Sequence, residues 1–306
     1  MTRTYDLVHR TTYVYGAPVT DSYGRTTMTP RDAPGQSVIS TAVEVDPEPA
    51  DTSTHIDYYG NRTSYYGVTS PHSTLVVTSR STIEVSRVAV TLESLPVVTW
   101  EDTARAVDDG DLAAAVSPDA LVALRELVLP STHAVPGPEV LEWAAPSFTP
   151  GRPLGDVLVD LAHRIRTEIT YRSGSTTVNT TQAQLLAQRA GVCQDFAHLM
   201  IAALRAHGLP ARYVSGYIET MPPPGREKLR GADASHAWLS AWVPGAGWVD
   251  IDPTNDQFVD DRYVVLGWGR DYHDVPPLRG VIFTEGSGSK LSVAVDLVPA
   301  GSTPFA

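Results

Sequence analysis

The chain has 306 residues, enough for two domains of ordinary size, and its apolar fraction of 42% is adequate for real cores. No apolar run reaches the roughly eighteen residues that a membrane-spanning helix needs. The formal net charge of −12 argues against nucleic acid and anionic membranes as partners, although simple solubility also explains this charge.

The number of cysteines and the first residues of the chain indicate the cellular compartment of the protein. The chain contains one cysteine, Cys193, which excludes an internal disulfide and fits a reducing environment. The start, Met1–Asp6, has no apolar signal region and runs directly into strand-like alternation. We therefore expect a cytoplasmic protein.

The first part of the chain, Thr4 to about Val88, reads as β structure. Alternation from Tyr5 to Tyr15 predicts a strand that Gly16-Ala17-Pro18 ends, and similar alternation recurs over Val38–Val45 and Thr74–Val85. Short antiparallel strands with glycine and proline between them are typical of a sandwich or small barrel.

Helical patterning replaces this alternation after about residue 100. Predicted helices are Pro118–Leu129, Pro136–Trp143, Leu154–Ile169 and Thr181–Arg189, followed by one that starts at Cys193. Predicted strands follow at Ala211–Glu219, His236–Val243 and Trp248–Asp252. Glu219–Ala232, with three consecutive prolines, is expected to be an exposed loop.

Helices followed by antiparallel strands predict an α+β core with the cysteine helix against the sheet. We place an N-terminal antiparallel β-sandwich-like domain at residues 1–95 and the α+β core at 96–285, with 96–150 as a helical lead-in. Residues 286–306 are expected to be a flexible connector, from Gly286, and a final strand over Leu291–Val298.

Cys193 lies where a thiol would be reactive. Gly191 before it permits a sharp turn, and Phe196, Leu199 and Met200 after it recur at helical spacing. The thiol therefore belongs to the first turn of an apolar helix, where free backbone N–H groups and the helix dipole favour the reactive thiolate.

A histidine and an aspartate follow on a predicted hairpin. His236 lies on the first strand and Asp252 on the second, with a glycine-rich break at Pro244–Gly247 between them. A three-residue loop puts Val243 opposite Gly247 and makes His236 and Asp252 diagonal neighbours on one face. A loop one residue longer would put them on opposite faces.

These blocks occur in the order of a known family. Gly191-Val192-Cys193, Ser235-His236-Ala237-Trp238 and Asp252-Pro253-Thr254-Asn255 closely resemble the bacterial transglutaminase-like superfamily, which has a papain-like core. Asp57–Asn61 and Ser70-Pro71-His72 resemble the N-terminal domain that often precedes this core, and Gly269–Gly280 resembles the segment that follows it. The resemblance is weakest between about Trp100 and Phe148.

The resemblance implies a thiol enzyme with a Cys193-His236-Asp252 triad that uses no cofactor and no metal. Cys193 is the nucleophile, His236 the base or ion-pair partner of the thiolate, and Asp252 the group that orients His236. The expected reaction is acyl transfer on a peptide or protein substrate, and hydrolysis, as in a cysteine protease or amidase, is the preferred outcome. Transglutaminase activity with an amine acceptor and a catalytically silent binding module remain as alternatives, and the oligomeric state stays open.

Other residues have competing interpretations. Asp250 is the alternative to Asp252, and Asn255 would also be promoted if Asp252 faced away from His236. Asp195 and His198 are one helical turn apart, but two ligands do not make a zinc site; we expect Asp195 to favour the helix start and His198 to pack or cap locally.

Trp238, Trp242 and Trp248 are expected to be core aromatics, with a substrate-channel wall as the alternative. Candidates for the second oxyanion donor, besides the Cys193 N–H, are Gln194 and Tyr171.

Overall fold

The computed structural model describes residues 2–110, 116–220 and 235–301. Most of the loop predicted over 219–232 lies outside these residues. No helix in the described ranges is long and apolar enough to cross a bilayer.

The strands and helices follow each other in the predicted order. The strands are β1 (Arg3–Thr26), β2 (Gln36–Asp46), β3 (Asp51–Ile56), β4 (Arg62–Val68), β5 (His72–Val85), β6 (Thr170–Tyr171), β7 (Ala190–Gly191), β8 (Ala211–Ile218), β9 (Ser235–Val243), β10 (Gly247–Asp252), β11 (Gln257–Phe258), β12 (Tyr263–Gly269), β13 (Leu278–Thr284) and β14 (Ser289–Pro299). The helices are α1 (Trp100–Asp109), α2 (Pro118–Glu126), α3 (Pro138–Ala144), α4 (Leu154–Glu168), α5 (Gln182–Gln188) and α6 (Cys193–Ala206), with short 3-10 turns at Leu92–Ser94 and Ala145–Ser147.

The N-terminal domain is built around the long strand β1. Its first part pairs with β5 and β14, and its last part pairs with β4 and β13. Side chains from both parts, including Val19, Met28, Val68 and Val77, meet in one apolar cluster. The sheet therefore packs on itself, which confirms the sandwich-like domain predicted from the sequence.

The expected strand end at Gly16-Ala17-Pro18 is wrong. β1 continues through these residues, and its pairing with β5 shifts between Val14 and Val19. A bulge removes the need for a ladder hydrogen bond at proline and bends the strand. This bend lets one strand serve both layers.

The C-terminal strands return to the N-terminal domain. The sequence pattern predicts that residues 278–284 belong to the core and gives no partner for the final strand, whereas β13 and β14 both pair with β1. Alternation predicts a strand but carries no information about a partner more than 250 residues away. The β domain thus contains both ends of the described chain.

The core is the predicted α+β arrangement. Its five strands have the order β11-β10-β9-β8-β12, and α6 packs on β8 and β9. Phe196 and Leu199 of α6 share one apolar cluster with Leu158 of α4 and Leu239 of β9. The structure contains one further helix, α1, which the sequence pattern does not predict as a separate element.

Two buried amide side chains attach the N-terminal domain to the edge strand β12. Gln36 donates from Nε2 to the Val265 carbonyl at 2.8 Å and accepts from the Val265 N–H at 2.7 Å. Asn61 makes the same pair of bonds with Trp268, at 2.8 and 2.9 Å. These amides occupy backbone groups that an edge strand would otherwise expose.

Candidate active site

Cys193 is the first residue of α6 and is partly exposed. Val192 before it is extended, with φ −123° and ψ 177°, so the helix starts abruptly at the thiol. The backbone N–H groups of a first helical turn have no intrahelical partner, and they point toward the helix start. The structure thus places the sulfur at the positive end of an apolar helix.

Asp195 and Gly191 shape this helix start. Asp195 Oδ2 accepts from the Val192 N–H at 2.8 Å and from the Thr176 hydroxyl at 2.7 Å, and burial raises the pKa of this carboxyl. The expected turn at Gly191 is wrong: the left-handed residue is Arg189, with φ 53°. Gly191 is required by space, because a Cβ there would lie 2.5 Å from Leu185 Cδ1.

The hairpin register is the one predicted from the sequence. Val243 pairs with Gly247 and Leu239 pairs with Ile251, so the three-residue loop is confirmed. His236 and Asp252 consequently meet, and His236 Nε2 lies 2.7 Å from Asp252 Oδ2. Cys193 also acts on His236, since its side chain and charge help to raise the pKa of the imidazole.

Asp252 is fully buried and accepts several hydrogen bonds. Oδ2 accepts from His236, from the Tyr263 hydroxyl at 2.8 Å and from Asn255 Nδ2 at 2.6 Å, while Oδ1 accepts from the Thr254 N–H at 2.8 Å. Gln257 Nε2 donates to the Tyr263 hydroxyl at 2.9 Å and so fixes its direction. A buried carboxylate with this many donors stays ionised.

The pKa values of the pair favour an ion pair. Burial alone would lower the pKa of His236, but its hydrogen bonds to Asp252 and Cys193 outweigh burial and raise that pKa to about 10. Burial likewise opposes charge on Asp252, yet the hydrogen bond and charge of His236 hold the pKa of Asp252 below its ordinary value. His236 is therefore an imidazolium at neutral pH.

The sequence pattern does not identify Tyr263 and gives Asn255 only a fallback role. Both residues bond to Asp252 rather than replacing it. Tyr263 lies in an apolar strand, and no local pattern distinguishes its hydroxyl from that of a core tyrosine. Burial, then the charge of Asp252, raise the pKa of Tyr263, so the hydroxyl keeps its proton and donates.

The alternative aspartate points elsewhere. Asp250 lies opposite Ser240 in the hairpin and accepts a hydrogen bond from its hydroxyl. It makes no hydrogen bond with His236. The structure therefore brings Asp252, not Asp250, to the histidine.

Asp195 and His198 do not form a metal site. His198 is buried, stacks on His133 with ring centroids 5.6 Å apart, and accepts from the Tyr272 N–H at 3.1 Å. Burial lowers the pKa of His198 to about 3, so it is neutral. Across the described ranges, no group of three His, Cys, Asp or Glu side chains could hold a metal ion.

The three hairpin tryptophans are divided between two apolar clusters. Trp238 is fully buried and packs with Val214 and Tyr263, at an edge-to-face angle to Tyr263. Trp242 packs with α1 and α2 residues, and Trp248 lies against that second cluster. These positions agree with the core interpretation.

Two tyrosines complete the surroundings of the thiol. Tyr171 is half-exposed and belongs to β6, which pairs with β7 just before Cys193. Burial raises the pKa of Tyr171, and the charge of Cys193 adds to this shift. Tyr213 is buried, and the same two causes raise its pKa. No local sequence pattern distinguishes Tyr213 from a core tyrosine.

Two family models match this chain. Residues 5–84 match the model of the bacterial transglutaminase-like N-terminal region, and residues 145–253 match that of the transglutaminase-like superfamily. The second match includes Cys193, His236 and Asp252.

Individual proteins are similar over different lengths. An uncharacterized protein of Mycobacterium tuberculosis (strain ATCC 25618 / H37Rv) is 49% identical over 304 residues, covering 97% of this chain and 93% of its own length. A protein-glutamine gamma-glutamyltransferase of Pseudomonas aeruginosa is 41% identical over 71 residues, which are 23% of this chain and 11% of that protein.

A solved structure supports the fold over the full length. A "Putative Cysteine Protease" from Cytophaga hutchinsonii superposes with a TM-score of 0.76, at 19% sequence identity, covering 100% of this chain and 94% of that one. At this identity the likeness concerns the fold alone.

Proposed function

Because this chain belongs to the transglutaminase-like superfamily, with the bacterial transglutaminase-like N-terminal region before its core, we propose that it catalyses cysteine-dependent acyl transfer. Cys193, His236 and Asp252 would form the catalytic triad. The substrate would be a carboxamide or peptide bond of a peptide or protein.

One arrangement supports this proposal: His236 hydrogen-bonds the buried carboxylate of Asp252 and lies beside the thiol at a helix start. His236 has a pKa raised to about 10 by its bonds to Asp252 and Cys193, after the opposing effect of burial. A protonated His236 beside the sulfur stabilises the thiolate, which is the nucleophilic form of cysteine.

The steps follow from this charge distribution. The Cys193 thiolate adds to the carbonyl carbon, and the oxyanion that develops faces the free N–H groups of the first turn of α6. His236 then gives its proton to the leaving nitrogen, the C–N bond breaks, and a thioester on Cys193 remains. Neutral His236 takes a proton from the second nucleophile, which attacks the thioester and releases the thiolate.

The second nucleophile decides the net reaction. With water the protein is a hydrolase, a cysteine protease or amidase, and this is the outcome we propose. Transamidation by an amine is the second candidate, supported by the partial similarity to a protein-glutamine gamma-glutamyltransferase across 71 residues. We also propose a cytoplasmic location, since the lone cysteine of the chain is a free thiol.

The experiment is a screen of glutamine peptides with and without a primary amine. Ammonia release without amine incorporation supports hydrolysis, and incorporation of the amine supports transamidation. Cys193→Ala is the matched control, because removing one sulfur at a partly exposed helix start leaves the packing of α6 almost unchanged.

A second measurement covers substrates other than glutamine. Incubation of a peptide library with the protein, followed by mass spectrometry, would detect new peptide termini that depend on Cys193. If neither assay gives Cys193-dependent product and Cys193 also reacts as an ordinary thiol, the protein is a silent binding module on the same fold.

A further inference from the structure

The N-terminal domain contains a groove that the proposed reaction does not use. Its volume is about 580 Å³, which lies within the range of ligand sites, and every lining residue falls between Thr26 and Tyr66. The strands β2 and β3 form its two sides, and they are the two ends of the strand order β2-β5-β1-β4-β3. The groove thus opens between two sheet edges.

The edge of β2 is regular enough to accept another strand. Pairing with β5 shifts once, between Val38 and Ser40, and then runs without interruption from Ser40 to Asp46. The other side of β2 has no strand partner in the described residues. Its N–H and C=O groups therefore form a ladder that an extended chain can complete.

Side chains along this edge alternate in character. Val43 and Val45 are partly buried and pack on the apolar cluster inside the sandwich. Glu44 and Asp46, which lie between and after them, are exposed and form no ion pair with any described residue. Glu48 and Asp51 extend the exposed negative charge toward β3.

We propose that the edge of β2 binds an extended peptide segment in which basic and apolar side chains alternate. The backbone of the segment would continue the sheet. Its Lys or Arg side chains would lie opposite Glu44 and Asp46, and its apolar side chains would lie opposite Val43 and Val45, as cross-strand pairs favour. The N-terminal domain would then hold a segment of a second protein at a distance from the thiol.

The probe is a fluorescein-labelled heptapeptide of alternating lysine and valine, added to the full chain and followed by fluorescence anisotropy. We expect saturable binding that weakens with salt. The same peptide with a methyl group on every backbone nitrogen keeps its charge but can donate no ladder hydrogen bond, so we expect its affinity to fall by about tenfold or more. A glutamate-valine heptapeptide should not bind.

The protein side is tested by Glu44→Lys together with Asp46→Lys. Like charges opposite each other destabilise a strand pair, so the affinity for the lysine-valine peptide should fall by about tenfold. The control is Glu84→Lys with Asp109→Lys, which changes net charge equally at two exposed positions outside the groove; its affinity should stay within about twofold of the parent.

Three results would overturn the proposal. One is absence of binding by the lysine-valine peptide. Another is equal binding of the N-methylated peptide, which would mean charge attraction without strand addition. The third is a dimer in sedimentation velocity that Glu44→Lys with Asp46→Lys dissociates and that excludes the peptide, since the occupant would then be a second copy of this chain. The peptide controls decide the matter even if the charge-reversed protein folds poorly.

Discussion

At the scale of single residues, the raised pKa of His236 links the site to stability. Its folded pKa of about 10 lies above the ordinary value of about 6.5. A raised histidine pKa contributes stability that is fully present below about pH 6.5 and is lost as pH rises through about 10. The folded protein should therefore depend on the charged pair throughout the neutral range.

Denaturant unfolding of the parent and of His236→Gln checks this dependence. The free energy of unfolding of the parent should fall, relative to the variant, by on the order of a few kcal/mol between about pH 6.5 and pH 10. A constant difference between the two proteins over this range would show that His236 is not protonated in the folded state.

Tyr263→Phe tests how the buried Asp252 carboxylate is kept charged, because it leaves Cys193, His236 and Asp252 in place. Tyr263→Phe deletes one donor to the buried carboxylate, so the free energy of unfolding should fall by about 1.5–3 kcal/mol. The pKa of Asp252, now with fewer donors, should rise, and the acid limb of the activity profile should move to higher pH.

The control for Tyr263→Phe is Tyr217→Phe. Tyr217 is also buried, and its hydroxyl bonds His9 Nδ1 at 2.7 Å, away from the site. It should lose stability but keep the parental pH profile. If Tyr263→Phe leaves the acid limb in place, its hydroxyl does not support the charge of Asp252.

At the scale of elements, the start of α6 is held against α5 by close packing at Gly191. In Gly191→Ala the new Cβ would meet Leu185 Cδ1 at 2.5 Å and Asp195 Oδ2 at 3.0 Å, so the Leu185 side chain or the start of α6 must move. We expect a loss of about 1–3 kcal/mol in the free energy of unfolding, measured in denaturant, and slower alkylation of Cys193.

Gly137→Ala is the matched substitution. Gly137 also has no positive φ, and its new Cβ would meet only the end of the Glu139 side chain, at 3.2 Å. We expect Cys193 in Gly137→Ala to be alkylated at the parental rate. Parental alkylation in Gly191→Ala as well would mean that this packing does not position the thiol.

The sequence predicted those elements whose determinants are local. Gly245 and Gly247 both have positive φ and define the three-residue loop, and that loop length fixes which hairpin residues share a face. The spacing of Phe196 and Leu199 likewise predicts the helix that starts at Cys193. The partners of β13 and β14, the hydroxyl of Tyr263 at Asp252 and the crowding at Gly191 depend on distant contacts, which periodicity does not record.

At the scale of the whole molecule, Gln36 and Asn61 connect the two domains through the edge of β12. Either residue changed to alanine leaves a buried N–H and C=O of β12 without partners, so each change should cost about 1–3 kcal/mol in the free energy of unfolding. Hydrogen exchange at the Val265 and Trp268 amides should accelerate, each in its own variant.

Asn179→Ala provides the comparison for these amide deletions. Asn179 is exposed, and its only hydrogen bond in the described residues comes from its backbone N–H. It should change neither stability nor exchange. If the Gln36 and Asn61 variants behave like it, other contacts hold the domains together.

The most direct test of the central claim is the rate at which iodoacetamide modifies Cys193 as a function of pH, in the parent and in His236→Ala. The charged pair predicts rapid modification of the parent well below about pH 8.5, where an ordinary thiol is mostly protonated, and much slower modification of His236→Ala at neutral pH. Equal rates in the two proteins, both rising only near about pH 8.5, would contradict the thiolate–imidazolium mechanism.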